Sequence, residues 1–155
     1  MRALTKDESE LIEKRKASIE IFLSEMYPVL VGFLKDLDAV NPHLVLQDPA
    51  LFLDFLDEWL LQQDITSKNR VWIHARLNYY IGEYFVQKYS GEWLVNEIPD
   101  SMFFGRYVIG KLENTNNPNS MIDPFEISKF YLDNHPRISL TDTLREAELE
   151  LANLK

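Results

Sequence analysis

Apolar residues recur at helical spacing over most of the chain. After Thr5-Lys6-Asp7-Glu8, the residues Leu11, Ile12, Ile19, Phe22, Leu23 and Met26 fall on one side of a 3.6-residue wheel, which predicts an amphipathic helix to about Glu25. Thr5 and Glu8 have the spacing of a capping box. Pro28 is expected to break or kink this helix, because a proline inside a helix loses one hydrogen bond and clashes with the preceding turn. Leu30, Phe33, Leu34 and Leu37 then mark a second piece from Val29 to Leu37, closed by Asn41-Pro42. Asp48-Pro49 and Asp123-Pro124 each place an N-cap acceptor ahead of a proline, and so predict two more helix starts. The first opens a helix from Pro49 to Gln63 with Phe52, Phe55, Leu56 and Trp59 inward; the second runs through Phe125, Phe130 and Tyr131 to His135-Pro136. A last helix from Ser139 or Thr141 carries the stripe Leu140, Leu144, Ala147, Leu151 and Leu154.

The longest element is a helix from Lys68 to Tyr89, ended by Ser90-Gly91. On its wheel Trp72, Ala75, Tyr79, Gly82, Val86 and Tyr89 form one apolar flank, and Ile73, Leu77, Tyr80 and Tyr84 form another roughly opposite. Two apolar flanks imply packing on two sides. Arg76, Glu83 and Gln87 lie in one polar lane between the flanks, and His74, Asn78 and Lys88 lie in the other. Gly82 costs about 1 kcal/mol against alanine in a helix interior, so a close approach is expected there, most simply of another backbone. The pattern then changes. Trp93-Leu94-Val95 reads as a strand that turns through Pro99-Asp100-Ser101 into a second strand from Phe104 to Leu112. Two strands cannot stand alone, and the nearest support is the helix that feeds them. The fold class is therefore α+β: five to six helices with one antiparallel β-hairpin packed on a central helix, in a single domain over residues 1–155. Residues 114–120 read as an exposed connector.

The segment Tyr80-Ile81-Gly82-Glu83-Tyr84, with Gly91-Glu92-Trp93 and the later Asn117-Pro118 and Asp123-Pro124, resembles small bacterial domains of unknown function. In these a Tyr-x-Gly-Glu helix leads through a Gly-x-Trp corner into a hairpin. The resemblance covers roughly residues 72–131 and implies a fold without an activity.

Charge narrows the function classes. The net charge is -9, which argues against nucleic-acid binding, since phosphate contacts need clustered Lys and Arg. No Lys or Arg lies between Lys35 and Lys68, a stretch that holds Asp36, Asp38, Asp48, Asp54, Asp57, Glu58 and Asp64. No uncharged apolar run reaches the length of a membrane span, and Tyr27 to Leu34 is the longest candidate, so no membrane is expected. Without a secretory signal and without cysteine, a cytoplasmic location is expected.

Two surfaces are candidate sites. On the long helix, Glu83 flanked by aromatics could act as an acid or base with Arg76, Tyr80 and Trp93 around a small ligand, or Arg76 and Glu83 could be a structural ion pair. On the Pro49 helix, Asp54, Asp57 and Glu58, with Asp64 nearby, could steer a basic partner, or form a solvated face. His74 has no metal-ligating neighbour at helical spacing, no catalytic motif is present, and neither a metal nor a cofactor is expected. The expected function is a non-enzymatic protein-interaction domain, of the immunity, inhibitor or chaperone-like kind, binding a basic protein through its acidic face. The alternative is a small-ligand binder or hydrolase-like enzyme centred on Glu83 and Arg76.

Overall fold

The capping box forms as its spacing requires. In the computed structural model, which describes residues 2–115, 117 and 119–153, Thr5 Oγ1 accepts from the Glu8 amide at 3.2 Å and Glu8 Oε1 accepts from the Thr5 amide at 2.8 Å. Arg2 reinforces this start by gripping both Glu8 and Asp100, and with the Thr5 amide it holds the Glu8 carboxyl down to about 2. The helix so opened, α1, runs without interruption over Lys6–Asp36. The expected break at Pro28 does not occur. Pro28 and Ser24 both sit on the exposed face, where water can satisfy the carbonyl that Pro28 leaves without a donor, while the buried stripe Met26, Leu30, Phe33 and Leu34 continues across the proline. Burial on both sides of the residue offsets its local cost. By length and mean hydropathy, 1.5 over 18 residues of which 22% are buried, α1 is apolar enough to cross a membrane, although Glu20 and Glu25 lie within it.

The expected helix from Pro49 to Gln63 is shorter and starts differently. Residues Pro49–Phe52 form a 3-10 turn, α2 is Leu53–Leu61, and the Asp48 side chain makes no capping bond. A buried phenol must find an acceptor, and Tyr80 donates to the Pro49 carbonyl at 2.8 Å. The Leu53 amide turns to Ala50 instead, which tightens the turn to 3-10 geometry. The long helix, α3, is Arg70–Tyr89 rather than starting at Lys68, because Thr66 to Asn69 close a turn of their own. It ends on Ser90 in the left-handed region (φ 51°), with the Gly91 amide bonded to the Val86 carbonyl at 3.1 Å.

The strands β1 (Glu92–Val95) and β2 (Tyr107–Gly110) pair antiparallel, with Trp93 opposite Ile109. Ile122 covers the outer edge of β2 through a two-way bridge with Ile109. α4 is Pro124–Asn134, opened by Asp123, whose carboxylate accepts from the Phe125 and Glu126 amides as predicted. α5 is Leu140–Asn153, with Leu140, Leu144, Ala147 and Leu151 buried. Leu154 of its stripe, and Asn116 and Pro118 of the connector, lie outside the described residues. The fold is thus α+β and mainly helical. α3 packs against α1, α4, the 3-10 turn and both strands, so it is the central element.

The wheel of α3 is buried unevenly. Ile73, Leu77, Tyr80 and Tyr84 are buried as one flank, whereas Trp72 is 38% exposed and only half covered, by the Phe33 ring and by the Arg76 guanidinium 4.1 Å from its centroid. Between Tyr80 and Phe85 every position is buried, Glu83 included. The close approach at Gly82 is made by a side chain, not by a second backbone: a Cβ on Gly82 would lie 2.0 Å from Cζ2 of Trp93.

Candidate functional site

The two sequence features around Gly82 and Trp93 are one physical unit. Gly91 turns the chain back along α3, β1 lays the Trp93 indole across the gap left by Gly82, and the indole Nε1 donates to Glu83 Oε1 at 3.0 Å. Phe22 of α1 closes the other side, with its ring 5.2 Å from Trp93 and 4.5 Å from Tyr107. Glu83 is 2% exposed. Burial disfavours its charged form and pushes its carboxyl above the usual range, while Trp93 and Gln87 partly oppose this by hydrogen bonding.

Of the four residues expected around a ligand, the structure therefore brings Glu83 and Trp93 together and sends the others elsewhere. Arg76 donates to the Trp72 carbonyl at 3.1 Å and stacks on that ring; no ion pair or hydrogen bond joins it to Glu83. Tyr80 faces the Pro49 carbonyl. Glu83 lines none of the clefts described below, so its raised pKa belongs to a packed contact. This sets the sign of its contribution to stability. A carboxyl whose folded pKa lies above its unfolded value of 4.5 takes up protons more readily in the folded chain, so folding loses stability as pH rises from the unfolded pKa through the folded one. Glu83→Gln keeps the acceptor for Trp93 and has no charge to bury. Urea unfolding should show the variant gaining on the wild type as pH rises above about 4.5; a difference that does not change with pH there would contradict it.

The acidic stretch divides in the same way. Asp54, Glu58 and Asp64 are exposed and take part in no ion pair among the described residues. Asp57 points inward and caps a helix 83 residues away: its carboxylate accepts from the Leu140 amide at 2.6 Å, the Thr141 amide at 2.9 Å and the Thr141 hydroxyl. Ser139 supplies the remaining acceptors, its hydroxyl for Asp142 and its carbonyl for Thr143. All four N-terminal amides of α5 are then satisfied. The connection is returned from the other side, where His135 Nε2 donates to the Leu60 carbonyl in the last turn of α2 at 2.7 Å. A carbonyl can only accept, so this nitrogen carries the proton.

The corner so built encloses a cleft of about 320 Å³. Leu61, Tyr131, Pro136 and Ile138 line its apolar part, and Asp54 and Glu58 stand at its rim. The charge run made the rim legible; apart from Leu61, the floor comes from segments 70 residues or more further along and was not. A second polar cluster was missed for the same reason. Tyr84 and Tyr89, with Lys88 between them, all donate to Glu148 of α5, at 2.7, 2.9 and 2.7 Å. Burial opposes the charge of Glu148, but these three donors outweigh it and hold the carboxyl below its usual range; burial and the same carboxylate push Tyr89 up to about 12. The cluster ties α5 to α3. Among the described residues no group of three or more His, Asp or Glu is placed to hold a metal ion.

No family model, curated protein or solved structure matches the chain.

Proposed function

We propose that this chain is a protein-interaction domain, of the immunity, inhibitor or chaperone-like kind, that holds a Lys or Arg side chain of a basic partner in the cleft between α2 and the α4–α5 corner. The observation that carries this reading is the pairing of an unneutralised acidic rim, Asp54 and Glu58, with an apolar floor that includes Leu61, itself 64% exposed. A long basic side chain has the same two parts, an aliphatic stem and a charged head, and buries the first while pairing the second. The wider field of a chain with net charge -9 would speed the approach of such a partner and make the rate fall with salt. Asp64 lies just beyond the rim in the sequence and would add to that field.

The test is the double reversal Asp54→Lys with Glu58→Lys, leaving Asp57 in place because it caps α5. Fluorescence anisotropy with a labelled Lys-rich peptide, and with any partner captured from the source cells and then purified, should show affinity reduced by roughly tenfold or more, with most of its salt dependence gone. The thermal midpoint should stay within a few degrees of wild type, since both side chains are exposed. Unchanged affinity in the reversed protein would sink the reading. The Glu83-centred ligand reading is the weaker one, because its residues do not converge on a cleft.

A further inference from the structure

A second cleft, of about 360 Å³, opens where α1, α3, the β1–β2 connection and the start of α4 meet. Its walls are aromatic and already positioned. Phe22 is set against Tyr107, and Phe125 is held by His74, whose ring lies 4.3 Å from it and whose Nε2 donates to the Phe125 carbonyl at 3.0 Å. Phe104 and Leu11 complete the apolar lining.

Arg15 and Arg106 both line this cleft and differ in their state. Arg106 is committed: its Nη1 contacts Glu126 at 2.9 Å and Asp123 at 3.2 Å, and its plane sits between the Phe103 and Phe125 rings, 5.0 and 4.6 Å from their centroids. Two carboxylates offset its charge. Arg15 is not committed. Its carbonyl accepts from the Tyr107 hydroxyl at 2.8 Å, but its exposed guanidinium has no ion pair or hydrogen bond among the described residues, and it belongs to Lys14-Arg15-Lys16, the longest basic run of an acidic chain. The third polar group is Asn78 of α3. It lines the cleft, yet its Oδ1 is buried without a donor. A buried acceptor left unpaired costs about 1–3 kcal/mol, and a half-turn of the amide would offer either its oxygen or its NH2 group to a molecule in the cleft.

We infer that this cleft binds a small planar aromatic anion with a hydrogen-bonding substituent on its ring, of the hydroxybenzoate class. The ring lies among Phe22, Phe104 and Phe125, the anion meets Arg15, and the ring substituent meets the Asn78 amide. An aromatic wall selects a flat apolar body, the uncommitted guanidinium selects an anion, and the orphan amide selects a polar group at the inner end. Among the described residues no carboxylate lines the cleft to receive a cation, and Asp123 and Glu126 beside it are already engaged by Arg106. The inference is independent of the acidic cleft, which is built from other residues.

Titration of the whole chain with para-hydroxybenzoate, followed by proton–nitrogen correlation NMR, tests it. Saturable shifts are expected at the amides of Asn78, Gly105 and Tyr107. Arg15→Gln, an exposed change, should weaken the affinity about tenfold or more, as loss of one charge-assisted contact does, with no change in thermal midpoint. Para-hydroxybenzyl alcohol, which keeps the ring and hydroxyl but has no charge, should bind more weakly by a similar factor. The double reversal at Asp54 and Glu58 should leave these shifts as they are. No saturable shift at millimolar para-hydroxybenzoate, full affinity in Arg15→Gln, or equal binding of the alcohol would each overturn the inference.

Discussion

Gly82→Ala is expected to destabilise the fold by about 3 kcal/mol, although alanine is the better helix former by about 1 kcal/mol. The new methyl would meet Cζ2 and Cη2 of Trp93 at 2.0 and 2.3 Å, distances at which one of the two groups must move. α3 is packed all round at this level, with Tyr80, Ile81, Glu83, Tyr84 and Phe85 buried, so the helix cannot shift away without opening contacts on its far side. The indole must therefore retreat. Its retreat breaks the bond to Glu83 and leaves a buried carboxylate without its strongest donor, which adds to the overpacking cost. For a domain of this length such a loss lowers the melting temperature by roughly 10 °C. Trp93→Phe provides the control, since a smaller ring relieves the clash and also gives up the bond to Glu83. In a double-mutant cycle the pair should be coupled by about 1 kcal/mol or more, the double variant being more stable than the single losses predict. Strictly additive losses would mean that the glycine is required for some other reason.

Asp57→Ala should cost about 2–3 kcal/mol, the most of any acidic substitution on α2. It removes both acceptors of the first two α5 amides and the partner of the Thr141 hydroxyl, in a part-buried site that water replaces poorly. Among the described residues it also cuts one of the two hydrogen-bonded ties between α2 and the α4–α5 corner, leaving that of His135 on Leu60. Urea unfolding measures the total, and hydrogen exchange locates it: the Leu140 and Thr141 amides should lose protection first, ahead of the body of α3. Asp54→Ala, on the exposed side of the same helix, should stay within about 0.5 kcal/mol of wild type. Equal effects at Asp54 and Asp57 would show that the capping bonds contribute nothing. The contrast also bears on partner binding, because a triple change that included Asp57 would confuse lost affinity with a loosened corner.

Local rules accounted for much of the fold. Glu8 and Asp123 cap where their spacing placed them, the hairpin turns around Asp100 (φ 68°), and α3 is the central helix with packing on two sides. Where these rules failed, a distant group had taken over a backbone atom or a surface. Asp48 precedes Pro49 as Asp123 precedes Pro124, yet only the second caps with its side chain; after Asp48 the Leu51 amide bonds to the Asp48 carbonyl instead, and Tyr80 claims the Pro49 carbonyl. Pro28 sits inside an intact helix because its exposed side faces solvent and its neighbours belong to a continuous core stripe. The site residues separated in the same manner. Glu83 and Trp93 are ten residues apart and meet through one turn, whereas Arg76 was drawn to Trp72, four residues before it.

The sequence by itself determined the helical identity of most segments, the position of the hairpin, the importance of Gly82 and the placing of negative charge on α2. Those follow from interactions within a few residues: periodicity, caps, turn chemistry and like charges in succession. Only the tertiary structure decided that Gly82 makes room for an indole, that Glu83 is buried without a cleft, and that Asp57 belongs to α5 while Asp54 and Glu58 belong to a surface. The reason is that burial and hydrogen-bond pairing are fixed by whichever group arrives from elsewhere in the chain. Side chains of one type at one helical spacing become a cap, a core contact or a free rim according to what packs over them.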